Sequence, residues 1–231
     1  MSELAAGVDD LRVGERVFGV TRFGGYTSQI CVPRAQLFRV PAAFSHAQAA
    51  TFPTVSLTAY YALRQVLRTR PGEKVLVHSG AGGVGLAALQ IARADGLSPI
   101  AVVGASNKRE VAQSYAHLRP TGRLVVYGFT SMLARGRGRP NWFKLAWDYL
   151  RTPRFHPLQL VDANKGVVGL NLSYLFEEQG LLGEAMSRML AEVETGVLRA
   201  FPVSEFPLAE AAEAHRALQS GSTVGKLALI T

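Results

Sequence analysis

Cysteine is almost missing from this chain: Cys31 stands alone among 231 residues. That excludes a disulfide framework and a zinc lobe built on cysteines, and it fits a reducing, cytoplasmic setting. Long apolar runs are missing too. Those around Val75–Val77 and Pro99–Val103 fall far short of the roughly 20 residues a membrane helix needs. The opening Met1-Ser2-Glu3-Leu4 has no basic stretch followed by an apolar one, so no signal peptide is expected. The histidines are His46, His78, His117, His156 and His215. No two have metal-ligand spacing and none lies near Cys31, so no catalytic zinc is expected. There is no G-x-S-x-G elbow, no Walker A sequence and no internal repeat. Acidic residues are the minority. Lys and Arg number 25 against 17 Asp and Glu, a net charge of +8, with Arg135, Arg137, Arg139, Lys144, Arg151 and Arg154 carrying much of the excess. Such a surface suits nucleic acid, an anionic membrane, a polyphosphate cofactor or plain solvent. The absence of an aromatic-interleaved basic motif speaks against nucleic acid.

What is there is globular: 48% of residues are hydrophobic and 18% charged, enough for one large or two small cores. Val13 to Val20 reads as a turn and short strand, and Thr27 to Val32 alternates like a strand ended by Pro33. Pro41 and Pro53 bracket a short helical stretch around Ala47, Ala49 and Ala50. Ser56 to Leu67 reads as a separate helix, with Leu57, Tyr60, Tyr61, Leu63 and Leu67 at helical spacing. Buried-type strands follow at 74–78 and 99–103, with an Ala/Leu-rich helix between them from Val84 to Ala94. A helix at 107–118, a strand at 123–127, a helix at 142–150 and a strand at 166–172 come next. Last are a helix at 181–195, a loop at 203–207, a helix at 209–218 and a strand at 225–230.

The strongest local pattern is Val75-Leu76-Val77-His78-Ser79-Gly80-Ala81-Gly82-Gly83-Val84-Gly85. It is strand, glycine turn, helix, and Gly80, Gly82 and Gly85 satisfy G-x-G-x-x-G in the required context. The first glycine allows the tight turn, the second lets backbone approach a pyrophosphate, and the third lets helix pack on strand. The helix N-terminus then offers free N–H groups to the phosphates. An NAD site wants a carboxylate at the end of the second strand, and none lies between Gly96 and Arg109. Ser106, Lys108 and Arg109 stand there instead, suited to a 2′-phosphate, so NADP(H) is the expected cofactor; the alternative is that they point into solvent. His78 ends a buried strand and reads as a core residue.

Beyond this motif, Gly24-Gly25-Tyr26, Thr58-Ala59-Tyr60, Pro71-Gly72-Glu73-Lys74-Val75-Leu76-Val77-His78 and Ala81-Gly82-Gly83-Val84-Gly85 occur in order. Leu118 to Gly128, Leu158-Gln159-Leu160 with Ala163-Asn164, Val167 to Leu172 and Gly225-Lys226-Leu227 follow. This series resembles the zinc-independent quinone oxidoreductases (zeta-crystallin type) of the medium-chain dehydrogenase/reductase superfamily, and 141–175 looks nearest to the branch with the synaptic vesicle membrane protein homologues. The resemblance implies hydride transfer from NADPH to a quinone or an α,β-unsaturated carbonyl. It implies that Gly82, Gly83, Val84 and Gly85 hold the pyrophosphate and that Ser106 and Lys108 hold the 2′-phosphate. Gly128 and Phe129 would lie near the nicotinamide, with Thr58 facing the same pocket.

The resemblance also implies the fold: α/β, with a Rossmann-type parallel sheet and a β-rich remnant of a GroES-like domain. The expected division is 1–55 for the partial substrate domain, 56–190 for the cofactor domain and 191–231 for a helix and strand returning to the first. Against the family pattern, the first portion of the substrate domain has no counterpart, so no catalytic residue is named. Strands three and four of the sheet find no room between Val111 and Leu118. Strands one and five must then pair directly or leave a gap. Homodimerisation through Val167 to Leu172 is a further expectation. The other reading of the same chain is non-catalytic: a shortened relative that binds a dinucleotide or a partner subunit without turnover.

Overall fold

A computed structural model describes residues 1–103, 114–127, 146–147, 149–150, 152–221 and 223–231. Among the described residues, eight strands form four separate two-stranded ladders. Near the N-terminus β1 (Val17–Gly19) pairs antiparallel with β2 (Leu37–Arg39). β2 was not expected, because three residues after a turn carry no periodicity. The expected strand at Thr27–Val32 does not form: residues 27–31 are exposed and have no partner strand. Alternation only proposes a strand; a ladder needs a neighbour.

The centre of the molecule is α1 (His46–Tyr60), continued by wider π-type turns over Tyr61–Leu67. Its start is a capping box. Gln48 N–H donates to Ser45 Oγ at 3.1 Å and Ser45 N–H to Gln48 Oε1 at 2.9 Å. The sequence reading broke this helix at Pro53, and the structure carries it through. Residues on every side of α1 are buried, from Ala47 and Phe52 to Tyr60. A helix enclosed all round gains enough from packing to absorb the missing proline N–H. Phe52 sits between Phe44 and Phe201, with ring centroids 5.3 and 5.6 Å away.

Against α1 lie the pieces of the expected parallel sheet. β3 (Lys74–Val77) pairs parallel with β4 (Ser98–Ala101) through α2 (Gly83–Ala94). β5 (Arg123–Tyr127) pairs parallel with β6 (Gly166–Leu170), and α3 (Pro157–Ala163) precedes β6. Of the two outcomes foreseen for a sheet without its middle strands, the open one is found: no ladder joins β3 to β5. Among the described residues, no buried hydrophobic residue lies between Leu97 and Leu172. Leu76 and Ile100, neighbours across β3 and β4, leave about half their surface in water.

After β6 come a short 3-10 turn (Leu172–Leu175) and α4 (Gln179–Glu194), whose Met186 and Met189 are fully buried. β7 (Val203–Pro207), α5 (Ala211–Ser220) and β8 (Lys226–Ile230) close the chain, β7 and β8 parallel. Val203–Pro207 was read as a loop. Pairing with β8 makes it a strand, and Pro207 is tolerated as its last residue. The helices expected over 107–118 and 142–150 lie largely outside the described residues; Ser114–His117, residues 146–147 and residues 149–150 are helical.

Candidate dinucleotide site

The glycine turn is built by close approaches that only glycine permits. Gly80 N–H donates to Val102 C=O at 2.9 Å, which carries the β3–β4 ladder into the turn. A Cβ on Gly80 would stand 2.8 Å from Ala101 Cβ. Ser79 takes a left-handed φ of 53° so that its carbonyl can accept Gly82 N–H at 2.9 Å. That carbonyl then fills the space over Gly85, where a Cβ would come within 2.3 Å of Ser79 O and 2.7 Å of Gly80 Cα. The third glycine of the motif is therefore required by the helix-on-turn contact, as the spacing predicted.

Gly82 is the N-cap of α2, and no side chain caps that end. The first-turn amides of a helix have no partner of their own, and the aligned peptide dipoles leave the end positive. A turn held open by glycines before an uncapped helix start is suited to a pyrophosphate. Gly80, Gly82, Gly83, Val84 and Gly85 are all brought to this turn, with Gly83 and Gly85 buried and Val84 half-buried.

Thr58 is placed on the central helix. It is buried in α1, and its hydroxyl donates to Thr54 C=O at 2.7 Å. Its proton is thus held within the helix rather than offered to a ligand. Ser106, Lys108, Arg109, Gly128 and Phe129 lie outside the described residues. His78, expected as a core residue, places Nε2 2.7 Å from Ser114 Oγ.

One residue of the site was missed. Gly225 N–H donates to Ala81 C=O at 2.9 Å, locking the C-terminal strand onto the turn. Gly225 has φ +80° and lies too close to Pro202 for any side chain. It delivers Lys226 directly across Gly83. A Cβ on Gly83 would be 2.5 Å from Lys226 Cδ and 3.0 Å from Val55 Cγ1. No carboxylate pairs with Lys226 among the described residues, and burial pushes its ammonium below the usual lysine value. The signal available in the sequence was Gly225-Lys226, matched to the family but given no role, because the two ends of this contact are 143 positions apart by their numbers, 83 and 226.

Residues 99–229 match the family described as zinc-binding dehydrogenase, more than half of the chain. The chain belongs to this family. The synaptic vesicle membrane protein VAT-1 homolog of Rattus norvegicus is 29% identical over 265 residues, covering 97% of this chain and 65% of that protein. The chain thus spans just under two thirds of that relative. Since 97% of 231 residues is about 224, some 40 of the 265 aligned positions have no residue here (265 less 224). The human VAT-1 homolog-like protein superposes over 100% of this chain and 76% of its own, with a TM-score of 0.77 at 21% identity. The Escherichia coli quinone oxidoreductase complexed with NADPH covers 100% of this chain and 79% of its own, with a TM-score of 0.73 at 26% identity. Within its family the chain sides with the VAT-1-like and quinone oxidoreductase branch of the medium-chain dehydrogenase/reductase superfamily.

Proposed function

We propose that this chain is an NADPH-dependent oxidoreductase that passes a hydride to a quinone or an α,β-unsaturated carbonyl. The observation that carries the reading is the turn Ser79–Gly85, closed by glycine-only contacts and opening on the uncapped start of α2. The Escherichia coli relative with NADPH in its structure supports the choice of cofactor. When bound, reduced nicotinamide supplies the hydride chemistry, and this chain's residues bind and orient. Gly82, Gly83, Val84 and Gly85 present backbone to the pyrophosphate, and Lys226 stands beside them as its counter-charge. Ser106 and Lys108 take the 2′-phosphate, and Gly128 and Phe129 lie against the nicotinamide. Thr58 faces the same pocket from α1.

The division proposed is 1–55 for the partial substrate domain, 56–190 for the cofactor domain and 191–231 for the returning helix and strand. No zinc takes part in this proposal. Cys31 is exposed, and the described residues contain no cluster of metal-ligating side chains. Metal analysis of the purified chain checks this, with less than stoichiometric zinc expected. The site of action is proposed to be cytoplasmic, and a homodimer through β6 is the proposed assembly. Among the described residues no helix is long and apolar enough to cross a membrane.

The test is a fluorescence titration with NADPH and NADH, followed by oxidation of NADPH with a simple quinone. Saturable binding favouring NADPH, lost in Gly83→Asp, is the expected result. Equal or stronger binding of NADH overturns the 2′-phosphate assignment. A second reading, binding without turnover, is favoured by the open sheet between β3 and β5. NADPH binding with no quinone or enone reduction would select it.

A further inference from the structure

A second concave site lies on the far side of α1 from the glycine turn. Val55 faces the turn and Leu57 faces this pocket, and residues two apart on a helix point about 200° away from each other. The pocket encloses about 40 Å³ and opens widely to solvent. Val20, Phe38, Leu57, Leu172, Phe176 and Met186 make it apolar, the amides of Gln36 and Gln179 are its polar groups, and among the described residues no charged side chain lines it.

α4 contributes Gln179, Leu182, Gly183 and Met186, which share one helix face at spacings of three and four. Gly183 is the telling residue. It sits inside a helix, where glycine is among the poorest choices, and a Cβ there would meet no atom within 4 Å. Among the described residues nothing crowds this position, as is also true of Gly180 in the same helix, but Gly183 lines the pocket and Gly180 does not. The absent side chain keeps the pocket open.

We infer that this pocket binds a small neutral molecule with an apolar ring or branched chain and one hydrogen-bonding group. Neutrality follows from a lining without charge, since a buried ion would find no partner. Small size follows from the little space enclosed: part of a ring or a short branch seats in it, the rest of a one- or two-ring molecule lies at the open mouth, and a long chain would lie in solvent. The amides of Gln36 and Gln179 supply both donors and acceptors for a single polar group. The site is separate from the proposed dinucleotide site and does not depend on it.

The test uses 1-naphthol, a neutral two-ring fluorescent probe with one hydroxyl, on the full chain. Saturable enhancement that NADPH does not compete away is expected. Gly183→Leu replaces glycine with a better helix former and fills the pocket; it should lower probe affinity at least tenfold while leaving NADPH titration unchanged. Ala35→Trp, at an exposed rim position, serves as a second block that leaves the core untouched. Enhancement that does not saturate, that NADPH displaces, or that both variants leave intact overturns the proposal, whatever the outcome of the NADPH titration in the parent chain.

Discussion

Single residues decide whether the glycine turn exists. Gly85 leaves no room for a methyl group, because Ser79 O stands 2.3 Å from where its Cβ would be, and backbone there cannot swing aside as a flexible side chain would. Gly85→Ala should cost about 2 kcal/mol of stability, within the range for overpacking, and should abolish NADPH binding. Thermal melting and titration of the same sample check both. Lys226 offers a test in pH. Burial holds its folded-state value below the ordinary 10.5. The charged form is therefore disfavoured in the fold, and this penalty on stability is relieved as pH rises through the lowered value. Dinucleotide binding has the opposite sign, since the phosphates need the charge and their presence drives the lysine back towards its ordinary value. Affinity for NADPH should fall about tenfold as pH rises from 7 towards 10.5, on the scale of one lost charge-assisted hydrogen bond. Lys226→Met should bind about tenfold more weakly at pH 7 and show a flat profile over the same range.

At the scale of elements, one ion-pair junction ties three helical segments. Arg64, in the π-type turns after α1, donates to Asp95 at the end of α2 and to Glu192 near the end of α4, at 2.7 and 2.8 Å. Its guanidinium also lies over the Tyr60 ring at 5.3 Å. Burial opposes its charge, yet the hydrogen bonds it donates to Asp95 and Glu192 overcome that and hold it more firmly protonated than a free arginine. Arg64→Met keeps the stem and removes the fork, leaving two carboxylates half-buried without their partner. The expected cost is about 2–3 kcal/mol, somewhat below the range for a fully enclosed pair because both carboxylates keep some water. Chemical denaturation measures it. A change below about 0.5 kcal/mol would show that the junction is decorative.

For the whole molecule, stability is unevenly spread. The core runs from Phe18 through α1, α2 and α4 to Phe201, and the described part of 98–171 adds no buried hydrophobic side chain to it. Strands without a buried face open more readily than strands within a core. Amides of β5 and β6 should therefore exchange with solvent at least about tenfold faster than those of α1 and α2, read by hydrogen–deuterium exchange. Equal protection would mean that the two halves of the sheet open as one unit. The exposed pair Leu76 and Ile100 points to the same weakness, since both faces of a parallel sheet are ordinarily covered.

The sequence by itself determined the glycine turn and its flanking strand and helix, because that motif is local: Ser79, Gly80, Gly82 and Gly85 meet within seven residues and their spacing encodes the turn. It also determined the family, and it foretold the gap in the sheet from the short distance between the second and fifth strands. Tertiary structure alone decided the rest. Thr27–Val32 alternates but finds no partner, whereas Leu37–Arg39 and Val203–Pro207 carry little pattern and become strands by pairing. Pro53 stays inside α1 because the helix is enclosed on all sides. Thr58 turns its hydroxyl inward to Thr54 C=O, and Lys226 arrives beside Gly83 from the far end of the chain. The division follows the range of the interactions. Turns and helix starts are set by neighbours a few residues apart, which spacing reveals; ladders, burial and a lysine across a loop are set by residues that only folding brings together.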